Sequence, residues 1–482
     1  MSQSDTRFNS NVVIIGGGIA GLAAAFRLTQ IVPTSRITLI EQDEHLGGKI
    51  KTERADGFVI EAGPDSFLSS KPRGIGLCRE LGIENRLQGV NQETRRTFVM
   101  RDGRLYDLPE GLTGLIPTRL KPLLSSRLLS APGKARIVLD YVMPTRKGSG
   151  DESLALFIQR RLGTEVYERL VEPLMAGIYA GDGRVLSLEA TFPQLRRAEV
   201  EHGGLIKGIL ASRSAIPPTQ NGSAPRSPFL APVSGMAELV DSLEQRLAGA
   251  GVRILMRTAA QRIVSLPGGE YRVTLDTGQT IPADRVILAT PAAATAALVA
   301  EMHPDAASIL RTIPHVSTAL VTFAFREQAL TRPFFGHGYI IPRVEGRSAL
   351  ACTWVSSKWN HRAPEGFALV RVFIGRAGTD HLTAADDEVL VSLTREELRA
   401  TLGVEAQPSL TRIRRWRDGM PQYTLGHLER VAALEQIVAS SPGLQIAGHA
   451  YRGVGIPDCI ASGERAADQA SEGLRCRLSG ND

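Results

Sequence analysis

The sequence predicts an α/β fold, with one open, largely parallel sheet assembled from distant parts of the chain. Three observations predict it. Residues 11–30, NVVIIGGGIAGLAAAFRLTQ, carry an apolar run into three glycines and an alanine-rich segment. Residues 234–291 alternate again between a helix-like and strand-like patterns. The tail, residues 443–474, returns to a short strand, a glycine-rich turn and a helix. Leucine-rich and strand-rich stretches lie between these blocks, so the unit is discontinuous.

Each element has a local reason. Val12 to Ile15 form the short continuous apolar run of a strand buried on both faces. Gly16, Gly18 and Gly21 fit G-x-G-x-x-G. The first glycine allows a tight turn, the second lets backbone approach a pyrophosphate, and the third lets helix pack on strand. The helix is expected from about Gly21 to Gln30, its N–H groups aimed at phosphates, with Leu22, Phe26 and Leu28 as its apolar stripe. A second strand follows at RITLIE (36–41). Its last residue, Glu41, lies twenty residues after Gly21, where an acid grips a ribose hydroxyl. The glycine pattern alone is weak and fits a plain turn in an ordinary α/β domain. Strand, glycines, helix, strand and terminal acid together point to a Rossmann-like dinucleotide site. They do not separate NAD from FAD.

Residues 115–180 read mostly as helix, with apolar periodicity at Leu154, Phe157, Ile158 and Leu162, then at Val166, Leu170 and Leu174. Residues 211–229, rich in Ser, Pro, Asn and Gly, read as a loop or link. From 234 to 263 an amphipathic helix leads into a strand. From 270 to 291 come a strand, an Asp-Thr-Gly turn and a buried strand, and this block is expected to complete the nucleotide sheet. STALVTFAF, RSALACTWV and FALVRVFIG, within 315–375, read as strands, and 383–402 as a helix. The tail reads as a strand at Leu444–Ala447 and a helix from about Ile460. Five glycines within 443–463 suit a turn that approaches a ligand closely, more than a surface turn. The expected division is a nucleotide domain (1–70, 230–300, 410–482), a mixed α+β substrate domain (71–110, 195–229, 301–409) and a helical subdomain (111–194).

Composition bounds the function classes. The 482 residues are 43% hydrophobic and carry a formal charge of +6. That charge suits an anionic ligand, but there is no basic tail and no nucleic-acid-binding signature, so nucleic acid is not an expected partner. The four cysteines show no C-x-x-C spacing and the nine histidines no H-E-x-x-H, so no metal site is expected, and the chain suits a reducing cytoplasm. The most apolar long run, VILATPAAATAALVA, has 15 residues, fewer than the roughly 20 that span a bilayer. The apolar run after the polar start MSQSDTRFNS is too short for a signal peptide. The oligomeric state is left open.

Several segments carry a resemblance. GGGIAGL (16–22), Glu41, LGGKIKT (46–52), SGMAEL, VILATP and GVGIPDCIASG resemble the flavin-containing amine oxidase superfamily. FVIEAGPDSFLSSKP (58–72), EPLMAGIYAGDGRVLSLEATFPQL (172–195) and RWRDGMPQYTLGH (415–427) are similar to the FAD-dependent protoporphyrinogen/coproporphyrinogen III oxidases within it, most of all to their bacterial soluble branch.

The resemblance implies FAD as cofactor. Gly16, Gly17, Gly18, Ile19, Ala20 and Gly21 would hold its pyrophosphate, and Glu41 with Gln42 its adenosine ribose. Lys49, Gly63, Pro64, Asp65 and Ser66 would lie along the ribityl chain and ring, and Ala260 would pair its backbone with adenine. Trp416, Val454, Gly455 and Ile456 would border the flavin. The implied reaction is the six-electron aromatisation of a porphyrinogen, with dioxygen as acceptor and hydrogen peroxide released. Coproporphyrinogen III is the favoured substrate and protoporphyrinogen IX the alternative. No catalytic side chain is implied, because the macrocycle can tautomerise.

Propionates need cations, and Lys71, Arg95 and Arg96 are candidates, each with a solvated surface charge as its plain alternative. Plant and animal members carry an arginine directly before the aromatic of TFVM; here Thr97 stands there and Arg96 precedes it. One step along a strand turns a side chain to the other face, which puts that contact in doubt. Tyr179 is either pocket wall or core, with core favoured. Peripheral membrane contact through 115–180 and a hand-off to a ferrochelatase are compatible with the resemblance. The rival readings are a flavin amine oxidase or carotenoid desaturase on the same fold, and a non-catalytic scaffold that has kept the cofactor fold.

Overall fold

The apolar run at the start of the chain is buried because it has a strand on each side. Val12 and Ile14 are fully inaccessible to solvent. Strand Ser10–Ile15 pairs in parallel with Ser35–Ile40 on one side and with Arg285–Leu288 on the other. Arg253–Leu255 and Leu444–Ile446 add parallel outer strands, completing a five-stranded sheet. The computed structural model describes residues 10–110, 112–113, 116–117, 120–148, 150–214 and 227–478.

Helices Ile19–Ile31, Ala237–Gly249 and Ile456–Leu478 cover one face, packing Leu22, Leu28, Leu239, Leu243 and Ile460 into a single core. Two of these helices touch through backbone: a Cβ on Gly463 would stand 2.0 Å from the Ala20 carbonyl oxygen. The other face is covered by helices Ala292–Val299, Pro304–Arg311 and His427–Ala439 and by a small antiparallel sheet. That sheet joins Ala260–Ser265, Tyr271–Leu275 and Thr280–Ala283. The 234–291 block therefore only partly completes the parallel sheet, through Arg253–Leu255 and Arg285–Leu288. The alternating strands between them bury one side only, and form a separate layer.

Two helix starts differ from the sequence expectation. The first helix begins at Ile19, since Gly18 is extended and acts as its N-cap. The tail helix begins at Ile456, not Ile460; Pro457 is tolerated in a first turn, where no N–H is missed. The expected link at 211–229 is helical at its start, because helix Leu205–Ser214 runs into it, and Phe229–Pro232 is a strand. Residues 215–226 lie outside the described residues.

A second, seven-stranded sheet has the order Leu410–Pro421, His315–Arg326, Phe367–Ile374, Ala349–Trp354, Gly338–Ile340, Thr97–Arg101, Arg104–Asp107. Its outer face packs on helix Asp387–Leu402 through Phe323, Tyr339, Val372, Leu390 and Leu398. Its inner face carries the alternate residues. Val99 and Ile340 there meet the helical cluster, and Arg371 reaches back to the nucleotide body.

In the helical cluster the predicted periodicity holds for Leu154, Phe157, Ile158, Leu162, Val166 and Leu170, which are all buried, while Leu174 is half-buried at the edge of the same core. Leu195, Leu205 and Ile206, from the helices that follow, join the same core. Arg161 and Asp140 are both fully buried, with Nε donating to Oδ1 at 2.5 Å. The other Asp140 oxygen accepts from the Ile206 amide at 2.8 Å, so the ion pair ties three segments together. Removing one partner of such a pair strands the other charge. Asp140→Ala is expected to cost about 3–5 kcal/mol, measured by urea unfolding, whereas Arg79→Ala, at an exposed pair with Glu84, is expected to leave the unfolding midpoint nearly unchanged.

Candidate functional site

The glycine turn leaves the first strand above the carboxyl end of the parallel sheet. Gly21 has to be glycine, since a Cβ would lie 1.9 Å from the Gly16 carbonyl oxygen. Gly18 is different: nothing lies within 4 Å of its would-be Cβ, so the space before it is open. The first turn of helix Ile19–Ile31 has no acidic residue and no side-chain cap. Its leading N–H groups therefore lack intrahelical acceptors and face an open space, as an anion site requires. Gly47 closes against this turn, its N–H donating to the Gly17 carbonyl at 2.8 Å. The arrangement fits a bound pyrophosphate.

Glu41 is buried just beyond the second strand. Its two oxygens accept from the Gly17 amide at 2.7 Å and the Asp43 amide at 2.9 Å. A carboxylate has about four acceptor positions, so two stay available for hydroxyls. The Glu41 carbonyl accepts from the Thr258 amide, which brings Ala260 to the same end of the sheet. Gln42 is exposed beside it.

Further along, the backbone of Lys49 lies against that of Gly63: a Cβ there would meet the Lys49 carbonyl oxygen at 2.0 Å. Trp416 joins them, its Nε1 donating to the Ala62 carbonyl at 2.7 Å. Arg371 straps this segment from the other sheet, donating to the carbonyls of Glu61 and Gly63 at 3.0 and 2.9 Å. Asp65 accepts from Lys358 at 2.9 Å and from Trp359 at 3.2 Å, and Ser66 donates to it at 2.9 Å. Burial would raise the Asp65 carboxyl, but Lys358 and Arg371 override it and hold it well below the usual carboxylate range. Pro64 and its neighbours are thus fixed from both sides.

The Lys49 ammonium ends 2.8 Å from His449 Nε2. Burial pushes Lys49 down to about 8. Burial, then the Lys49 charge, pushes His449 down to about 3, so its imidazole is neutral near pH 7. His449, Arg371 and Lys358 were not read from the sequence. A single arginine inside the apolar strand FALVRVFI was the available signal for Arg371; His449 and Lys358 gave none.

The propionate candidates do not converge. Lys71 is paired with Asp458 at 2.7 Å, beside the turn that carries Val454, Gly455 and Ile456. Arg95 is exposed. Arg96 makes a two-pronged pair with Asp107 at 2.9 and 2.8 Å and lies 5.0 Å from the Phe98 ring centre, on the outer face of its sheet. Thr97 takes the inner-face position, as the strand parity requires. Tyr179 is buried against Phe192 and Tyr423, with ring centres 5.9 and 5.8 Å away, which is a core position. Among the described residues no group of acidic, histidine and cysteine side chains could hold a metal ion, and no helix is long and apolar enough to cross a membrane.

Comparison with known proteins agrees with this geometry. Residues 19–471 match the family described as flavin containing amine oxidoreductase. The coproporphyrinogen III oxidase of Bacillus subtilis (strain 168) is 37% identical over 465 residues, covering 95% of this chain and 97% of that protein. The protoporphyrinogen oxidase of Homo sapiens is 30% identical over 475 residues, covering 95% and 97%. A crystal structure of a protein from Exiguobacterium sp. 255-15 has a TM-score of 0.83 at 35% identity, covering 95% of this chain and 98% of that one.

The Lys49 shift has a measurable consequence in the FAD-free chain. The folded value, about 8, lies below the unfolded value near 10.4. Between them the unfolded chain binds the extra proton, so stability rises with pH across that window. Lys49→Met is expected to remove this rise, on the order of 3 kcal/mol, in urea unfolding from pH 7.5 to 10.5.

Proposed function

Because the chain belongs to the flavin containing amine oxidoreductase family, its cofactor is FAD, and we propose that it oxidises coproporphyrinogen III to coproporphyrin III. The observation that carries the substrate is the match along 95% of the chain to a coproporphyrinogen III oxidase at 37% identity, against 30% for a protoporphyrinogen oxidase. The outward turn of Arg96, with Thr97 on the inner face, supports a carboxylate arrangement unlike that expected of plant and animal members.

In this reading Gly18 and the first turn of helix Ile19–Ile31 would hold the pyrophosphate, with Gly16, Gly17, Ala20 and Gly21 shaping the turn. Glu41 and Gln42 would hold the ribose, and the Ala260 backbone would hold the adenine. Lys49, the Gly63–Ser66 segment, Trp416 and the Val454–Ile456 turn enclose the ring end. Bound FAD would supply the two-electron acceptor for hydride from the bridging carbons of the macrocycle. The chain's own work is placement. Arg371 and Asp65 fix the ring-side backbone, Trp416 walls the cleft, and the inner face of the seven-stranded sheet holds the porphyrinogen and excludes water. The six-electron oxidation would take three such cycles, each removing a hydride from a bridging carbon and a proton from the macrocycle. No side chain is assigned as acid or base.

Dioxygen is the proposed final acceptor, giving hydrogen peroxide, and the cytoplasm the proposed location. Peripheral contact with a membrane and transfer of product to a ferrochelatase belong to the same proposal, as does the division into nucleotide, substrate and helical units. The second reading is protoporphyrinogen IX as substrate.

The deciding experiment offers coproporphyrinogen III and protoporphyrinogen IX separately to the purified holoenzyme under air, following porphyrin fluorescence and peroxide. A kcat/KM at least about tenfold higher for coproporphyrinogen, or about 1.4 kcal/mol, is expected; equal values or a preference for protoporphyrinogen transfer the assignment to the second reading. Glu41→Ala is expected to weaken FAD binding about 10–100-fold, by titration of flavin fluorescence.

A further inference from the structure

Lys49 stands in the cleft without a counter-charge. Its ammonium has one side-chain partner, the imidazole nitrogen of His449 at 2.8 Å, and no carboxylate among the described residues. A buried charge is costly unless it is paired, and a lone lysine usually gives up its proton instead.

Among the described residues no surrounding carboxylate pairs with the ammonium. Asp458, at the start of the tail helix, is occupied by Lys71 at 2.7 Å and by the Gly455 amide at 3.2 Å. Cys459, one residue on, is pushed up to about 12 by burial and is an uncharged thiol near neutrality. His315, at the start of its strand, is lowered by burial and then by Lys49; its Nδ1 meets the Ile313 carbonyl at 2.9 Å and its Nε2 has no partner among the described residues. Asp418 acts on His315 from the neighbouring strand. Two neutral imidazoles and a thiol therefore surround one ammonium.

His449 is itself held in place. The Tyr423 hydroxyl donates to the His449 carbonyl at 2.6 Å and accepts from the Gly453 amide at 2.8 Å. Tyr423 is fully buried and stacked on His427, with ring centres 4.0 Å apart. The imidazole that meets Lys49 is thus tied to the same turn that presents Val454, Gly455 and Ile456. An ammonium has three N–H donors, so one bond to His449 leaves two for the cleft.

We propose that His449 is a positioning residue: its imidazole holds the Lys49 ammonium at the ring end of the cofactor cleft, and the pair supplies the positive charge that favours electron uptake there. The inference rests on the reading that Lys49 borders the flavin. A fixed cation beside the ring raises its affinity for electrons and for anionic nucleophiles. A neutral acceptor suits this task better than a carboxylate, which would cancel the charge it positions.

The test measures the two-electron midpoint potential of the FAD-loaded protein and its affinity for sulfite, from the loss of visible flavin absorption, between pH 7 and 9.5. Every variant is referenced to Lys49→Met at the same pH, so that the protonation of sulfite cancels. His449→Leu is expected to weaken sulfite binding about tenfold at pH 7.5 and to lower the potential by about 30 mV, the equivalent of tenfold for a two-electron couple. His449→Gln, which restores an acceptor, is expected to recover most of both. For a variant that does not load FAD, the pH dependence of unfolding is the second readout, and His449→Leu should extend the lower edge of the Lys49 window below pH 8. Wild-type potential, sulfite affinity and pH window in His449→Leu overturn the positioning role. Wild-type potential and sulfite affinity in FAD-loaded Lys49→Met instead remove Lys49 from the ring, and with it the reading on which the inference rests.

Discussion

The contact of backbone on backbone between the first and last helices is the constraint on which the site depends. Gly463 lies against the Ala20 carbonyl, and Gly21 against that of Gly16. These approaches exclude any side chain at either glycine. They bring the N-termini of helices Ile19–Ile31 and Ile456–Leu478 to one end of one sheet. A side chain at either glycine would push the two helices apart and shift the first turn of helix Ile19–Ile31 away from Gly16 and Gly17.

Electrostatics divides the cleft into two regimes. At Asp65 charge is saturated: a carboxylate, a lysine, an arginine and an indole N–H fix one another, and the carboxyl stays ionised. Such a network holds geometry and has little left to offer a ligand. At Lys49 charge is unsaturated, with an ammonium facing neutral acceptors. In the proposed site the first regime would fix the wall and the second would leave a positive potential beside it. Low local dielectric strengthens both effects.

The nucleotide half was legible in the sequence because its signals are local. A buried strand, a glycine spacing and a helical stripe each occupy fewer than about 20 residues, and their periods differ. The same reasoning misplaced the start of the tail helix, where Pro457 looked like part of a turn, and overextended the parallel sheet into strands that form their own layer. Thr97 and Arg96 were legible too, since strand parity alone decides which of them faces inward. The ring end was less so. Trp416, Gly63 and Lys49 came from resemblance, and no pattern announced that they would meet. His449 and Lys358 depend on partners far away in the chain, and a single lysine or histidine in a loop carries no period. Arg371 stood out only as a charge in an apolar strand, with its targets unknowable until the two sheets were seen together.

The order of strands across the parallel sheet also has a meaning in time. Its central strand, Ser10–Ile15, is near the beginning of the chain, while an outer strand and the partner of the first helix are near its end. Arg27 on that first helix pairs with Asp468, 441 residues later. At ordinary rates of synthesis, about 5–20 residues per second, the first helix waits roughly 20–90 s for this partner. During that interval the apolar stripe of Leu22 and Leu28 lacks part of its cover, because the tail helix that packs Gly463 on the Ala20 backbone does not yet exist. The first helix is thus made early and buried late, and its exposed stripe is the part of the nucleotide body that the nascent chain must keep from other contacts.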